Sequence, residues 1–351
     1  MPGFVKERTM QMRITPADID RARIRVEQAG IADLLKQDGI TEIAINQCGR
    51  IFWEGNQGWE NREEPRTSFE NLTALANELC YINNLQNLSR DNPVASVALP
   101  DGQRCQILTS PATEDNQIPF TIRIPSLSRR SIEDYRDSGR LRGFRRAQRP
   151  TGELSETDKR LLEFYERDDA TDFFIEAIKA KMNIVLVGGT GSGKTTFMKS
   201  LADLYPAHAR IFTIEDTPEV SLPYHINHLR LFYKRGVLPP KVIIEACMRM
   251  KPDHIFLAEL RGEEVVAYLE ALNTGHPGSI TTVHANGAYD AFHRIAELVI
   301  ANSISGAFTY DRAYRTVRKT IDIVAFWEGT HLQEIYFNPT EKLKYRTYGE
   351  I

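Results

Sequence analysis

The sequence predicts an α/β protein with two domains, a C-terminal domain built on a mostly parallel sheet with helices on both faces and a smaller α+β N-terminal domain. From residue 153 onward, apolar strand-like runs alternate with helical segments, an order typical of a parallel sheet covered by helices. The residues before about 125 show strands and helices without that alternation. A length of 351 residues also exceeds one typical core, so two domains are expected.

The composition is that of a folded protein without a global attraction to polyanions. Hydrophobic residues make up 42% and charged residues 26% of the chain, and the net charge is -3. The four cysteines lack C-x-x-C spacing, which argues against a disulfide framework or a zinc site and fits a reducing cytosol. The sequence shows neither a secretory signal nor an apolar run long enough to span a bilayer, so a cytoplasmic location is expected.

The predicted N-terminal domain covers residues 1–125. Strand-like runs lie at Glu42–Asn46, Ile51–Glu54, Val94–Ala98, Arg104–Leu108 and Phe120–Ile124. A helix is predicted to begin after Ser68, whose hydroxyl can cap it. Its apolar residues recur at three- and four-residue spacing and are predicted to face the core: Phe69, Leu72, Leu75, Ala76 and Leu79.

An arginine-rich linker is predicted over residues 126–151. It has eight arginines against three acids, at positions 129, 130, 136, 140, 142, 145, 146 and 149. Charged runs between domains are commonly solvated connectors. The alternative is a hinge that faces an anion, because a guanidinium group suits phosphate. Both interpretations stay open.

The strongest motif lies in the predicted C-terminal domain, residues 152–351. The segment Gly188–Thr196 follows the apolar strand Ile184–Val187 and matches GxxxxGK[ST] in the required context. Glycines let backbone amides surround phosphate oxygens, and the helix N-terminus that follows stabilises the anion. The predicted nucleotide-binding residues are Gly188, Gly189, Thr190, Gly191, Ser192, Gly193, Lys194, Thr195 and Thr196.

Within this loop, Lys194 is predicted to reach the β- and γ-phosphates, and Thr195 is predicted to offer its hydroxyl to Mg²⁺. The helix behind the loop carries an apolar stripe that is predicted to pack on the sheet: Phe197, Met198, Leu201 and Leu204.

Two predicted strands end in carboxylates, where ligands of open α/β sheets collect. Ile211–Ile214 precedes Glu215, and Ile255–Ala258 precedes Glu259. Glu259 is predicted to orient the attacking water, and Glu215 to join the magnesium shell or make a second water contact. The neighbouring Asp216 is as well explained by turn capping.

Three further residues are candidates. His276 and His284 flank a predicted strand and, following two acid-ended strands, suggest a sensor of the γ-phosphate; His284 is placed with the catalytic residues and His276 with the nucleotide-binding ones. Arg123 ends the last predicted strand of the N-terminal domain and is predicted to reach the bound phosphates. A surface ion pair is the alternative for Arg123.

The order of these motifs resembles the secretion-ATPase superfamily, with Walker A, Asp box, Walker B and His box in turn. The upstream segments Leu99–Arg104, Phe120–Arg123 and Ile132–Tyr135 resemble the traffic ATPases of bacterial type IV secretion and conjugation systems. The Walker B segment has Ala258 before Glu259 where many relatives have Gly-Glu, which leaves the acid in place.

This resemblance implies a RecA-like C-terminal domain and a homo-hexameric ring that hydrolyses ATP with Mg²⁺. It also implies a peripheral position on the cytoplasmic face of the bacterial inner membrane, with other secretion-system components as partners. Direct nucleic-acid binding stays open, and the choice of ATP over GTP rests on the resemblance alone.

Three alternatives remain. A type IV pilus retraction motor or a type II secretion motor would share the C-terminal motifs, although the tetracysteine zinc module common in assembly ATPases is excluded by the cysteine spacing. A RecA-type nucleic-acid translocase has only the arginine-rich linker in its favour. A ring that binds nucleotide without hydrolysis is the third, and the presence of Lys194 with Glu259 argues against it.

Overall fold

The chain forms two compact units, Met1–Ser126 and Leu127–Ile351. The residues described by this computed structural model are 14–125, 131–144, 153–303 and 309–347. None of the helices in these ranges is both long enough and apolar enough to cross a membrane.

The first unit is an antiparallel sheet with helices packed against it. Its elements are α1 (Pro16–Gln28), α2 (Ala32–Leu35), β1 (Glu42–Ile45), β2 (Arg50–Gly55), β3 (Gly58–Glu63), α3 (Phe69–Ile82), β4 (Val94–Ala98), β5 (Arg104–Leu108) and β6 (Phe120–Arg123). The strand order is β3-β2-β1-β6-β5-β4, and each neighbouring pair is antiparallel. All five predicted strands are present, and α1, α2 and β3 are additions that the sequence did not predict.

Helix α3 begins as predicted. The Ser68 side chain accepts a hydrogen bond from the Asn71 amide, which satisfies one of the unpaired donors of the first turn. Four of its five predicted core residues are buried: Leu72, Leu75, Ala76 and Leu79. The prediction for Phe69 is wrong, since this residue is 41% exposed. It is the first residue of α3 and precedes the turns that pack on the core.

The second unit has a mostly parallel sheet, which confirms the predicted fold class. Its elements are α4 (Ile132–Asp137), α5 (Glu156–Glu166), α6 (Ala170–Lys179), β7 (Ile184–Gly188), α7 (Lys194–Ala202), β8 (Ile211–Glu215), β9 (His228–Phe232), α8 (Pro240–Cys247), β10 (His254–Leu257), α9 (Glu264–Asn273), β11 (Ile280–Val283), α10 (Ala288–Asn302), α11 (Tyr310–Thr320), β12 (Ile323–Glu328), β13 (His331–Phe337) and α12 (Pro339–Thr347). The strand order is β13-β12-β7-β11-β10-β8-β9, and only the β12–β13 pair is antiparallel.

Helices cover both faces of this sheet. Ile184 and Leu186 of β7 pack into a cluster with apolar residues of α5, α6 and α7, while the alternate residues Val185 and Val187 point the other way. Helices α8 and α10 contact strands of the sheet and pack with α9 and α11 as the second layer. The predicted core position of Leu204 is wrong: it lies past the end of α7 and is 42% exposed.

The predicted linker is described only over residues 131–144, where it contains α4. Arg136 pairs there with Asp137 at 2.9 Å, and both side chains are exposed. The arginines at 129, 130, 145, 146 and 149 lie outside the described residues, so the anion-facing hinge stays a prediction. The domain boundaries given above for residues 1–125, 126–151 and 152–351 also stay predictions.

Candidate nucleotide-binding and hydrolysis site

The glycine-rich loop follows β7, a strand in the middle of the parallel sheet. Gly188 has a φ of +145°, and a Cβ atom there would lie 2.2 Å from the carbonyl oxygen of Trp327. Only glycine fits at that position, because any side chain would overlap the backbone of the neighbouring strand β12. Gly188 and Gly189 also line a cavity of ≈ 440 Å³ that extends past His284 to Arg294.

The start of α7 is suited to bind an anion. Its N-cap residue is Gly193, in the left-handed conformation, and no side chain caps the first turn. At α5, by contrast, Ser155 and Asp158 form a capping box in which each side chain accepts from the other residue's amide. The first amides of α7 therefore remain available to a phosphate, which fits the nucleotide that the motif predicts.

The ammonium group of Lys194 lies inside the loop. The residue is 8% exposed, and its Nζ donates to the carbonyl oxygens of Gly188 at 2.9 Å and Gly189 at 2.6 Å. Burial lowers the pKa of Lys194, and the charge of Glu259 opposes that shift. A phosphate in the loop would give this buried cation charged oxygen acceptors in place of neutral carbonyls.

Backbone hydrogen bonds hold Glu259 at the carboxyl end of β10. The amide of Ala258 donates to the Ile214 carbonyl at 2.9 Å, and the amide of Leu260 donates to the Thr282 carbonyl at 2.8 Å. Glu259 thus lies between two residues that are tied to β8 and β11. Its side chain is 13% exposed.

His284 connects Glu259 to the phosphate loop. Its Nδ1 lies 3.0 Å from the Gly188 carbonyl oxygen, and its Nε2 lies 3.2 Å from Oε1 of Glu259. A carbonyl oxygen only accepts, so Nδ1 carries a hydrogen. Both ring nitrogens therefore face oxygen acceptors, and Gly188 O is shared by His284 and Lys194. Walker A, Walker B and the second histidine are joined in one contact network.

Glu215 is placed differently from Glu259. It is fully buried, and its Oε2 accepts from the amides of Glu219 at 2.6 Å and Val220 at 2.7 Å. Its Oε1 accepts from the Thr213 hydroxyl at 2.7 Å and lies 3.6 Å from Nε of Arg230. These contacts make Glu215 the organiser of the loop after β8. Its predicted place in the magnesium shell stays a prediction.

His276 lies at the opposite end of β11 from His284. Its Nδ1 lies 2.7 Å from the Pro252 carbonyl oxygen. Strand β11 runs parallel to β7 with Val283 opposite Val187, so the phosphate loop follows the end of β11 that leads to His284. Within one chain, the fold brings His284 but not His276 to the loop, and the nucleotide contact of His276 stays a prediction.

Two arginines differ in how the sequence treated them: Arg123 was predicted as a site residue, and Arg261 was not. Arg123 is the exposed last residue of β6, opposite Glu42 and Arg104 in the first unit, and its contact with phosphate stays a prediction. Arg261 was given no role from the sequence, yet it contacts both Glu259 and Asp216. Its place in the Walker B segment, two residues after Glu259, was the sequence signal.

A parallel sheet with a phosphate loop after one strand and a paired acid after a nearby strand defines a P-loop nucleoside triphosphatase. Residues 154–325 match the Type II/IV secretion system protein family. The chain is 36% identical over 317 residues to the type IV secretion system protein VirB11 of Brucella suis, covering 86% of this chain and 87% of that protein.

Other relatives agree. The protein of the same name from Bartonella henselae is 36% identical over 326 residues, which is 88% of this chain and 91% of that protein. The crystal structure of the VirB11 ATPase from the Brucella suis type IV secretion system, in complex with sulphate, matches with a TM-score of 0.84 at 35% identity, covering 92% of this chain and 99% of that chain. The chain belongs to the VirB11 family of type IV secretion ATPases.

Proposed function

We propose that this ATPase works as a homo-hexameric ring that hydrolyses Mg-ATP to energise a bacterial type IV secretion system, in pilus assembly, substrate export or both. The ring would act on the cytoplasmic face of the inner membrane together with other components of the system. The observation that carries the catalytic part is the contact network of Lys194, Gly188, His284 and Glu259. It supports a role in hydrolysis, because the Glu259 carboxylate contacts a side chain that is bonded to the loop proposed to hold the phosphates.

The loop residues Gly188–Thr196 would hold the phosphates through backbone amides, with Lys194 as the counter-charge. Thr195 is the first residue proposed to hold Mg²⁺, since its half-buried hydroxyl follows Lys194 directly in the first turn of α7. The bound ion would bridge phosphate oxygens and neutralise their developing charge.

Glu259 would orient the attacking water, and His284 would report the presence of phosphate. Because His284 contacts both the Gly188 carbonyl and Glu259, a change at the loop reaches the carboxylate through one side chain. Glu215 is retained as a second proposed ligand of the magnesium shell or a second water contact. Its four partners would have to be rearranged for either role.

Arg123 and His276 are proposed to add nucleotide contacts that the phosphate loop does not supply. Arg123→Ala should lower ATP turnover while the ring stays assembled, because a guanidinium near the phosphates stabilises negative charge. If turnover is unchanged, the first unit does not contribute to hydrolysis through this residue.

The central test is Lys194→Ala in the full-length chain. Loss of this buried cation should lower Mg-dependent ATP hydrolysis by about 100-fold or more, as for other preorganised electrostatic contacts. Lys199→Ala, on the same helix α7, is the matched control and should hydrolyse ATP normally. Near-normal hydrolysis by Lys194→Ala would contradict the site.

The assembly is tested separately by negative-stain imaging with and without ATP. Six-fold rings would support the proposed oligomer, and particles of another symmetry would contradict it without touching the site. ATP hydrolysis stimulated by DNA in a salt-dependent manner would instead favour a nucleic-acid translocase.

A further inference from the structure

Arg261 has a fixed backbone next to the candidate hydrolysis site. The side chain of Glu264, which is 1% exposed, accepts hydrogen bonds from the amides of Arg261 and Gly262, the latter at 2.8 Å. This buried carboxylate holds the turn between β10 and α9. The backbone of Arg261 is therefore held in a defined position near Glu259.

The guanidinium group joins two acids that follow different strands. Its Nη2 pairs with Oε2 of Glu259, after β10, and its Nη1 lies 3.3 Å from Oδ2 of Asp216, after β8. Strands β8 and β10 are parallel neighbours, so Arg261 links their carboxyl ends. The hydrogen bond to Glu259 is the main cause that raises the pKa of Arg261 above its usual value.

Arg261 also completes the surroundings of the Glu259 carboxylate. Oε1 of Glu259 faces His284, and Oε2 faces Arg261, so the carboxylate is held from two sides. A group that orients an attacking water must be held close to its productive geometry, since displacements of about 1 Å can cost on the order of 100-fold in rate. Nothing in this arrangement requires Arg261 to touch the nucleotide.

We propose that Arg261 is a positioning residue for hydrolysis, whose guanidinium fixes the orientation of Glu259 and couples it to the loop after β8 through Asp216. This inference rests on the proposed role of Glu259 in orienting water. It extends that role by naming what holds the carboxylate and by joining the Asp box to Walker B.

The competing interpretation is a surface ion pair without functional effect, because the Arg261 side chain is 42% exposed and such pairs contribute little. The chain offers a matched pair for comparison. Arg160 pairs with Glu176 at 3.3 Å, with side-chain exposures of 59% and 14% against 42% and 13% for Arg261 and Glu259. Arg160 lies on α5, outside the site.

The first experiment compares Arg261→Gln, Arg261→Lys and Arg160→Gln in full-length protein, with kcat and KM for ATP measured at saturating Mg²⁺. Arg261→Gln should lower kcat by about 10-fold with KM changed by less than about twofold, because binding groups are intact while Glu259 loses its orientation. The kcat of Arg261→Lys should lie between those of Arg261→Gln and the parent protein, since lysine keeps the positive charge but cannot bind two carboxylates through a planar guanidinium. Arg160→Gln should match the parent protein.

The second experiment is a double-mutant cycle with Asp216→Asn. Alone, this change should lower kcat by about two- to threefold, and combined with Arg261→Gln it should add nothing further, because both remove the same link. Should Arg261→Gln prove unstable, Arg261→Lys and Asp216→Asn still test the proposal.

Several results would overturn the inference. These are an Arg261→Gln kcat that is above the parent value or within twofold of it, and a fall of kcat in Arg160→Gln as large as the fall in Arg261→Gln. Full additivity with Asp216→Asn would remove the coupling to the loop after β8. If Glu259→Gln is inactive while Arg261→Gln is normal, only this inference fails; if Glu259→Gln hydrolyses ATP normally, the role proposed for Glu259 fails and this inference with it.

Discussion

The two ends of the parallel strands form a carboxyl edge and an amino edge of the sheet. The two edges carry similar residue types that make different kinds of contact. At the carboxyl edge, Glu259, His284, Arg261 and Asp216 contact one another across the ends of three strands. Only His284 in this group also contacts a backbone atom, the carbonyl oxygen of Gly188. These four side chains are paired with one another and in part exposed, whereas Glu215 at the same edge is buried and accepts from backbone amides.

At the amino edge, polar side chains bind the backbone instead. His254 Nδ1 lies 2.8 Å from the Pro277 carbonyl oxygen. Asn183 accepts from the Gly278 amide at 2.9 Å through Oδ1 and donates to the Thr320 carbonyl at 2.9 Å through Nδ2. These contacts hold the loops that enter the strands.

The difference separates a structural polar residue from one that can serve chemistry. A side chain bonded to buried backbone groups cannot leave them without stranding an unpaired donor or acceptor, which costs about 1–3 kcal/mol. Ion-paired side chains at a half-exposed edge can exchange one charged partner for another, such as a phosphate. Substitutions at the two edges should therefore affect different measurements.

The largest effect is expected for Glu259→Gln. The amide keeps the shape of the side chain but cannot act as a carboxylate toward water, so kcat should fall by about 1000-fold. Nucleotide binding should persist, because the phosphate loop is unchanged. Equilibrium binding of ATP and steady-state hydrolysis, measured on one preparation, check both parts. If Glu215→Gln is inactive and Glu259→Gln is normal, the roles of the two acids are exchanged.

A smaller effect, on stability and not on turnover, is expected for Asp322→Asn at the amino edge. Asp322 pairs with Lys342 and accepts from the Asn183 amide at 2.8 Å, with side-chain exposures of 13% and 11% for the ion pair. Removing one partner of a mostly buried pair strands the other charge, so unfolding free energy should fall by about 2 kcal/mol. Urea denaturation measures this loss.

Turnover by the folded Asp322→Asn protein should stay within twofold of the parent value. The double variant Asp322→Asn with Lys342→Met should recover part of the stability, because no uncompensated charge is left. A large loss of kcat in folded Asp322→Asn would contradict the separation between the two edges.

A matched histidine pair tests the same contrast on one strand. His284→Asn should lower kcat by about 10-fold, since it breaks the link between Gly188 and Glu259. His276→Asn should change kcat by less than about twofold if a single chain forms the whole site, because the His276 ring is bonded to the Pro252 carbonyl oxygen at the end of β11 away from the phosphate loop. Equal losses in both variants would show that His276 reaches nucleotide in the assembled ring.

The sequence predicted the parts of this molecule that depend on local pattern. The run Ile184–Val187 and the glycines that follow identified β7 and the phosphate loop, because strand periodicity and glycine geometry act over a few residues. Helix α1 was missed although Thr15 and Asp18 form a capping box at its start. Strand β3 was missed because four of its six residues are polar and none is buried, so it carries no apolar alternation.

The sequence predicted only part of the candidate site, and the reason is physical. A carboxylate at a strand end can be found by pattern, but its partners depend on which strands become neighbours. Glu215 and Glu259 gave the same sequence signal, yet one bonds to the amides of Glu219 and Val220 and the other faces His284. Strand order in the sheet is not encoded in local spacing.

The smallest effect is expected at His254, on the amino edge, as a pH dependence of stability. Burial lowers the pKa of His254 to about 4 from 6.5. The unfolded chain therefore binds a proton that the folded chain does not, between pH 6.5 and 4, and stability is lost as pH falls through that window. The full contribution is present above pH 6.5. The shift corresponds to at most about 3.4 kcal/mol, and relaxation around a buried charge should reduce the measured value to about 1 kcal/mol.

His254→Asn is the informative variant, because its amide can donate to the Pro277 carbonyl as Nδ1 does, without titrating. Unfolding free energies at pH 7.5 and pH 5.0 should fall by about 1 kcal/mol more in the parent protein than in His254→Asn. ATP turnover at pH 7.5 should be the same in both proteins, since this residue holds a loop at the edge that faces away from the phosphate loop. An identical pH dependence in the two proteins would mean that the pKa of His254 is the same in the folded and the unfolded chain. Burial at the amino edge would then not disfavour the charged form of this histidine.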